Sequence, residues 1–214
     1  MKQIGHVAIE GVIGAGKSSL AHRLANRFSA KLIEEKFEEN PFLEKFYKNR
    51  DRHAFPTQLF FLLSRFEQLQ ELGKTDLFYQ NIVADYIFEK DKLFAYINLN
   101  EMELKLYEQI EAQLKKELPQ PDLTIFLQAN PAIIMQRIAR RGRRYEKNIS
   151  RDYIEELCEA YDYFFFHFSN TPLLIINANN IDFVKQEEAF EKICELILEK
   201  FKGTRYYNPE KELF

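Results

Sequence analysis

The stretch Gly11-Val-Ile-Gly-Ala-Gly-Lys-Ser18 decides the fold of this chain, because it matches the phosphate-binding pattern G-x-x-x-x-G-K-[ST] at every specified position. An apolar run precedes it and a helical pattern of apolar residues follows, so the loop lies at the strand-to-helix turn that the pattern requires. Its glycines allow backbone N–H groups to surround a phosphate, and the helix N-terminus directs a partial positive charge at the same anion. The sequence therefore predicts a nucleoside triphosphate site.

The residues of this loop are predicted to contact the bound phosphates directly. Lys17 is expected to reach the outer phosphates, and the hydroxyl of Ser18 is expected to complete the coordination shell of Mg²⁺. The predicted set is Gly11, Gly14, Ala15, Gly16, Lys17, Ser18 and Ser19.

Length and composition limit the classes to which the chain can belong. With 214 residues it can bury one substantial core, so we expect a single domain over residues 1–214. The formal net charge of −3 argues against nucleic acid as a partner. Two cysteines, Cys158 and Cys194, fit a reduced cytoplasmic protein better than a disulfide framework. Because Glu10 interrupts the early apolar run and no apolar stretch is long enough to span a bilayer, we expect no signal peptide and no membrane partner.

The order of elements predicts a three-layer α/β domain with a five-stranded parallel sheet, because short buried strands alternate with amphipathic helices. The predicted strands are 5–10, 31–34, 81–85, 123–128 and 173–177. The predicted helices are 17–29, 41–49, 56–72, 90–117, 131–141, 151–168 and 182–201. The C-terminal tail, residues 203–214, receives no role.

Acidic residues follow two predicted strands, at the edge where open parallel sheets bind ligands. Glu35 can accept a proton from a hydroxyl that attacks the terminal phosphate, although Glu34, Glu35, Glu38 and Glu39 also fit a solvated acidic turn. Asp85 suits a Mg²⁺ site, with a helix N-cap as the alternative. The phosphate loop upstream favours the functional interpretation of Asp85 and of one of the glutamates.

Five arginines lie within residues 137–144, and Gly142 interrupts them. A solvated basic helix end and a nucleic-acid patch are alternatives to a lid whose guanidinium groups close over the triphosphate. The acidic net charge disfavours nucleic acid, and the phosphate loop favours the lid. We place the lid at about residues 137–147.

One helix face carries Gln58, Phe61 and Arg65 at spacings of three and four residues. A buried glutamine and arginine beside aromatic rings would be unfavourable in an ordinary core. Either the face is exposed to solvent or its polar groups meet a ligand. From these residues alone we predict that the face is exposed.

Five strings together resemble the deoxynucleoside kinase family, which phosphorylates the 5′-hydroxyl of deoxyribonucleosides. They are GVIGAGKS, EKFEENPFLEKFY, QLFFLLSR, IVADYIFEKDKLFA and RIARRGRRYE, and the resemblance runs from about residue 3 to residue 168. It points to the bacterial deoxyadenosine/deoxyguanosine kinase branch. The resemblance implies a P-loop kinase fold with strand order 2-3-1-4-5, ATP as phosphate donor, Mg²⁺, a purine deoxynucleoside as substrate and a homodimer.

The resemblance also assigns acceptor-side roles position by position. Glu35 matches the general base for the 5′-hydroxyl. Gln58 matches the glutamine that hydrogen-bonds the base, which disagrees with the exposed face predicted from the residues alone. Arg65 and Asp91 match a pair that borders the base and helps to select it.

The remaining roles concern the sugar, the metal and the donor phosphates. Tyr47 and Glu146 match the residues that hold the 3′-hydroxyl, and Asp85 matches the acid of a Glu/Asp-Arg-Ser/Thr motif at the end of the third strand. The lid arginines that match those on the donor phosphates are Arg137, Arg141 and Arg143.

The chain departs from the family pattern at two places. Tyr86 stands where the third-strand motif carries an arginine near the 5′-oxygen, and Ile87 follows it. Arg143 or Arg144 is available to supply that charge. Lys36 stands where a proline usually follows the catalytic glutamate.

Three other functions compete with this interpretation. A nucleoside monophosphate kinase shares the fold but needs basic groups around the acceptor phosphate, whereas the acceptor side offers Glu35, Tyr47 and Gln58. A GTP-dependent switch usually carries N-K-x-D after a late strand, and Asn177-Ala-Asn-Asn180 lacks the lysine and the aspartate. An ATP-driven nucleic-acid protein is disfavoured by the net charge and the length.

Overall fold

The strand β1, Gly5–Gly11, lies in the interior of a parallel sheet because its apolar side chains are buried: Val7, Ala8 and Ile9 are each at most 1% exposed. The computed structural model describes residues 3–75, 80–183 and 185–209. Within these residues six parallel strands form one sheet in the order β2-β3-β1-β4-β5-β6. The other strands are β2 Lys31–Ile33, β3 Asn81–Ala84, β4 Leu123–Gln128, β5 Leu173–Asn177 and β6 Thr204–Tyr207.

Helices connect the strands, as the alternating pattern predicts. They are α1 Lys17–Phe28, α2 Leu43–Lys48, α3 Arg50–Thr75, α4 Lys90–Asn98, α5 Glu101–Leu114, α6 Pro131–Arg141, α7 Arg151–Phe166 and α8 Glu187–Leu198. Pro131 occupies the first turn of α6, where its missing N–H removes no helical hydrogen bond. The α/β class and the predicted order of the first five strands are confirmed.

The predicted number of strands is wrong, because the structure has six rather than five. Part of the tail, Thr204–Tyr207, pairs in parallel with β5 and forms the edge strand β6. Gly203 enters it with a φ of +72°, a backbone conformation that favours glycine. Only Tyr207 of this strand is buried, so the sequence lacks the apolar run by which the inner strands were found. Residues 210–214 of the tail lie outside the described part of the chain.

Three predicted helices have clearly different bounds. The helix expected over 182–201 is shorter, at Glu187–Leu198. The single helix expected over 90–117 is divided into α4 and α5, because Asn100 caps α5 by accepting the backbone N–H groups of Met102 and Glu103. The helix expected over 56–72 begins earlier, at Arg50, and keeps Pro56 inside it. Among the described helices, none is long and apolar enough to cross a membrane.

The carboxyl ends of neighbouring strands place the predicted site residues together. The phosphate loop leaves β1, Glu35 follows β2, and Asp85 follows β3. The backbone N–H of Asp85 donates to the carbonyl of Ile33 at 3.0 Å, so β2 and β3 remain paired up to the point where the acids begin. The sheet therefore brings all three segments together at the carboxyl ends of its strands.

Candidate active site

The phosphate loop has the backbone that its glycines permit. Gly16 caps α1 at a φ of +107°, and a Cβ at this position would lie 3.0 Å from the ring of Phe183. The ammonium of Lys17 donates to the carbonyl of Gly11 at 2.7 Å and to that of Val12 at 3.3 Å. Burial, and then the neighbouring ammonium of Lys90, lowers the pKa of Lys17 to about 8. The Lys17 side chain is thus folded back against the phosphate loop.

Asp85 connects the phosphate loop to the acid after β2. One oxygen, Oδ2, accepts the hydroxyl of Ser18 at 2.7 Å, and the other, Oδ1, accepts the backbone N–H of Glu35 at 2.8 Å. The alternative of a helix N-cap is wrong, because α4 begins at Lys90 and Glu89 occupies its N-cap position. A hydroxyl beside a carboxylate suits Mg²⁺, which binds few protein oxygens and completes its shell with phosphates and water. The described residues contain no cluster of three or more acidic, His or Cys side chains that would form a separate metal cage.

Both carboxylate oxygens of Glu35 are bound by buried cations. Oε1 accepts hydrogen bonds from Nε (3.1 Å) and Nη2 of Arg65, and Oε2 accepts Nζ of Lys90 at 2.8 Å. Burial alone would raise the pKa of Glu35, but Lys90 and Arg65 hold it well below its usual range. Its neighbour Glu34 instead faces solvent and lies 2.9 Å from His22. The acidic turn thus divides into one half-buried residue, Glu35, held by two cations, and exposed acids such as Glu34, Glu38 and Glu39.

Arg65 also binds the acid expected to help select the base. Its Nη1 lies 2.5 Å from Oδ1 of Asp91, whose Oδ2 accepts the hydroxyl of Tyr107 at 2.8 Å. Burial raises the pKa of Asp91 to about 6, although Arg65 and the Tyr107 hydroxyl act in the opposite direction. Glu35 and Asp91 are therefore joined through one guanidinium.

The helix face that carries Gln58 is buried, so the exposure predicted from the residues alone is wrong. Gln58 is 2% exposed and Arg65 is 3% exposed. The side-chain oxygen of Gln58 has no hydrogen-bond partner among the described residues. A buried amide oxygen without a partner is unfavourable unless a ligand supplies a donor. Gln58 lines a cavity, which gives such a donor a place to bind.

Two adjoining cavities meet at the phosphate loop. One, of about 100 Å³, lies over Gln58 and Glu35, and the other, of about 650 Å³, lies over the loop and the segment 179–183. The residues that line both are Gly14, Lys17, Ser18, Arg141 and Arg143. Ala15, Gly16 and Ser19 line the wider cavity, and Gly11 lies under the loop, where its carbonyl accepts Lys17. Two ligands can therefore face each other across Lys17 and the lid.

The lid residues Arg141 and Arg143 point toward Glu146. Nε and Nη2 of Arg141 donate to Glu146 at 3.1 and 2.5 Å, and Nη1 of Arg143 lies 3.6 Å from it. The guanidinium of Arg143 also stands 4.3 Å from the ring centre of Phe37. Glu146 is 4% exposed and lines the narrower cavity together with Tyr47. In this structure Glu146, predicted to bind the sugar, thus forms ion pairs with Arg141 and Arg143, which are predicted to bind the phosphates.

Arg137 binds backbone carbonyls on two loops. Nη1 donates to Ala15 at 3.0 Å, and Nη2 donates to Ala178 at 2.6 Å and to Ile181 at 3.0 Å. These contacts tie the phosphate loop to the segment after β5. Burial lowers the pKa of this guanidinium.

Sequence reasoning missed two charged residues of this site. Lys90 is 4% exposed, and the signal for it was a lysine next to Asp91 in the string IVADYIFEKDKLFA. Glu10 is fully buried at the end of β1, where its carboxylate accepts the backbone N–H of Gly11 at 2.9 Å and the hydroxyl of Tyr161 at 3.1 Å. An acid inside an apolar strand was the available signal for Glu10.

Comparisons with known proteins agree on one family. A family model described as deoxynucleoside kinase matches residues 7–202. A deoxyguanosine kinase of Bacillus subtilis is 35% identical over 88% of this chain and 93% of its own length. A deoxyadenosine/deoxycytidine kinase of the same organism is 31% identical over 89% of this chain and 90% of its own. A solved structure of deoxyadenosine kinase from M. mycoides, with dCMP and a flexible dCDP bound as products, has a TM-score of 0.78 and 25% identity, covering 89% of this chain and 98% of that one.

Proposed function

The chain belongs to the deoxynucleoside kinase family, and we propose that its narrower cavity binds the deoxynucleoside while the wider cavity binds ATP. It is a phosphotransferase that moves a phosphoryl group to the 5′-hydroxyl of a deoxyribonucleoside. This assignment is supported by the position at which the two cavities meet, beside Lys17 and the lid. The phosphoryl group must pass from one cavity to the other at that point.

In the transfer, the 5′-oxygen forms a bond to the γ-phosphorus, and the bond from that phosphorus to the β–γ bridging oxygen breaks. ADP leaves with the bonding electrons. Glu35 accepts the 5′-hydroxyl proton, and Lys17 faces the transferred group. Because Glu35 has a low pKa, it receives this proton late, as the 5′-oxygen becomes acidic on bonding to phosphorus. Positioning and electrostatic stabilisation then supply most of the rate enhancement.

Mg²⁺ fits beside Ser18 and Asp85, whose hydroxyl and carboxylate already lie together at the phosphate loop. When bound there, the ion neutralises charge on the donor phosphates. The chain's own part is to keep Asp85 oriented, which the backbone N–H of Glu35 does by donating to its second oxygen.

The lid changes partners when substrates bind. Glu146 accepts the 3′-hydroxyl of the sugar together with Tyr47, and the guanidinium groups of Arg141 and Arg143 then turn to the donor phosphates. The ion pairs with Glu146 hold both arginines close to that position in this structure. Arg137 acts from the other side by holding the phosphate loop against the segment after β5.

The base that this pocket favours is a purine, with cytosine accepted more weakly. The free oxygen of Gln58 requires a donor, which adenine, guanine and cytosine all supply next to an acceptor, so Gln58 does not select the base alone. Arg65 and Asp91 form a fixed charged border, and a base without complementary groups would leave it poorly satisfied. The relative described as a deoxyguanosine kinase, at 35% identity, supports the same choice.

The assembly is a homodimer formed through helices α3, α4 and α5, which pack against one another. They expose large apolar side chains: Leu63 (43%), Tyr96 (55%), Met102 (83%) and Leu106 (48%). Exposed apolar side chains on helices that pack together suit such an interface. The two free, buried cysteines suit the reducing cytoplasm.

A panel of acceptors tests this function. The purified protein with ATP and Mg²⁺ is given the four deoxynucleosides and, separately, their four 5′-monophosphates. We expect transfer to deoxyguanosine and deoxyadenosine, weaker transfer to deoxycytidine, and little to thymidine. Transfer to the monophosphates alone would instead indicate a nucleoside monophosphate kinase. A thymidine kcat/KM above both purine values would overturn the base assignment alone.

A further inference from the structure

Lys90 is a buried cation in the acceptor cavity to which neither sequence reasoning nor the family motif gives a role. It is the first residue of α4, and its side chain is 4% exposed. Its ammonium lies 2.8 Å from Oε2 of Glu35, which is its single ion-pair partner among the described residues. A lysine is seldom buried without a function or a compensating charge.

The two cations on Glu35 are not equivalent. Arg65 has a second acid, Asp91, at 2.5 Å, so it keeps a counter-charge if Glu35 becomes neutral. Lys90 forms no second ion pair among the described residues: the carboxylate of Glu10 is near enough to raise its pKa but is itself hydrogen-bonded by two backbone N–H groups and by Tyr161. Protonation of Glu35 would therefore leave the ammonium of Lys90 buried without a direct ion-pair partner.

We propose that Lys90 is a further catalytic residue, which moves its hydrogen bond from Glu35 to the transferred phosphoryl group as the 5′-hydroxyl is deprotonated. This rests on the function proposed above. The proton passes to Glu35, the 5′-oxygen bonds to phosphorus, and ADP leaves with the electrons of the broken bond. The negative charge lost at Glu35 is then replaced by that of the new phosphate ester, and Lys90 keeps a partner throughout. A flexible, point-charged side chain suits such an exchange better than a fixed guanidinium.

The neighbouring side chains are less well placed than Lys90 to contact the transferred phosphoryl group. Tyr86 directs its hydroxyl at Gln68, 3.0 Å away, and carries no charge. Arg143 stands over Phe37, points to Glu146 and is assigned above to the donor phosphates, and Arg144 is exposed. Lys17 lies close enough to Lys90 for its pKa to be lowered by it, so the two ammonium groups share one region of the cavity.

A purely structural clamp on Glu35 would make a different prediction. If Lys90 only holds Glu35 in place, its loss would change the affinities for the deoxynucleoside and for the 5′-monophosphate equally, because neither ligand would contact Lys90. If Lys90 receives the phosphoryl group, its loss weakens binding of the 5′-monophosphate far more than binding of the nucleoside. The ratio of these two dissociation constants therefore separates the two roles.

The test compares Lys90→Gln and Lys90→Met with wild type, and with Lys92→Gln as the control on the same helix. Glu35 keeps Arg65 in both Lys90 variants, whereas Lys92 lies at the surface, 3.9 Å from Glu108 and 5.7 Å from the ring centre of Tyr96. Calorimetric titration with deoxyguanosine and with deoxyguanosine 5′-monophosphate gives the two constants for each protein. We expect the Lys90 variants to bind the monophosphate about tenfold or more weakly and the nucleoside within about threefold of wild type, as for loss of one charge-assisted hydrogen bond.

Lys90→Arg keeps the charge and is expected to recover part of the monophosphate affinity. Equal losses for nucleoside and monophosphate, or an unchanged monophosphate affinity, would overturn the role of Lys90. Those results would leave the kinase function intact, since wild-type turnover is measured separately. Absence of wild-type phosphoryl transfer to any deoxynucleoside would overturn the function itself.

Discussion

Arg65 binds Glu35 through two nitrogens, Nε and Nη2, both directed at the same carboxylate oxygen. The two residues come from a helix interior and from the end of an edge strand, thirty positions apart in the chain. Because this guanidinium also binds Asp91, the group expected to border the base and the group expected to take the proton are held by one side chain. We therefore expect base recognition and proton transfer to be coupled through Arg65.

Replacing Glu35 by Gln should preserve deoxynucleoside binding and lower kcat by about 100-fold or more, as for loss of a general base. Steady-state kinetics and a binding titration measure the two effects. Glu34→Gln is the matched control, because Glu34 is the neighbouring acid but lies exposed beside His22. If kcat of Glu35→Gln stays within about threefold of wild type, another acid accepts the proton.

We expect the activity to fall at alkaline pH, because Lys17 loses its proton there. Its pKa is lowered to about 8 by burial and by Lys90, so its ammonium is charged below that pH and neutral above it. The kcat/KM for ATP, which reports the free enzyme, should therefore fall as the pH rises through about 8. Lys90→Gln removes a lowering influence and should move this fall to higher pH. A wild-type profile that stays flat up to the ordinary lysine value of 10.5 would contradict the assignment.

Tyr107→Phe should destabilise the protein, because it removes the hydrogen bond from a buried hydroxyl to Asp91. Loss of a hydrogen bond to a charged buried group typically lowers the free energy of unfolding by about 2 kcal/mol. Tyr96→Phe is the control, since its hydroxyl meets Glu108 at 2.7 Å on the exposed surface. Urea unfolding of both variants measures the difference. Equal losses of stability would show that the buried hydrogen bond to Asp91 contributes no more than the exposed one to Glu108.

Arg141→Ala should lower kcat and raise the KM for ATP, because a lid arginine would be missing from the donor phosphates. Deoxynucleoside affinity should change little, since Tyr47 and Glu146 remain in the narrower cavity. Arg151→Ala, an exposed residue paired with Glu155, controls for loss of surface charge. Weakened nucleoside binding with unchanged ATP kinetics would place this arginine on the acceptor side.

The central part of the site was predictable from sequence because parallel strands deliver their carboxyl ends to one edge. The phosphate loop, Glu35 and Asp85 each follow a strand of the parallel sheet, so their meeting required no knowledge of long-range packing. The break between α4 and α5 also had a readable signal, since Asn100 and Glu103 form a capping box.

Other features depended on tertiary contacts that the sequence does not display. Arg65 is charged, and only the arrival of Glu35 and Asp91 from other elements makes its burial acceptable. Lys90 is buried for the same reason. Gln58 is buried beside a cavity, which the sequence does not display either. The strand β6 exposes most of its residues and depends on pairing with β5, so no local pattern revealed it.

Phosphoryl transfer from ATP to the 5′-hydroxyl is most directly tested with deoxyguanosine and its analogue 2′,5′-dideoxyguanosine, which lacks the accepting oxygen. The measurement is transfer of label from γ-labelled ATP, with identification of the product. We expect deoxyguanosine to yield its 5′-monophosphate, and the analogue to bind competitively without being labelled. Labelling of the analogue, or no labelling of any deoxynucleoside, would contradict a kinase that acts on the 5′-hydroxyl.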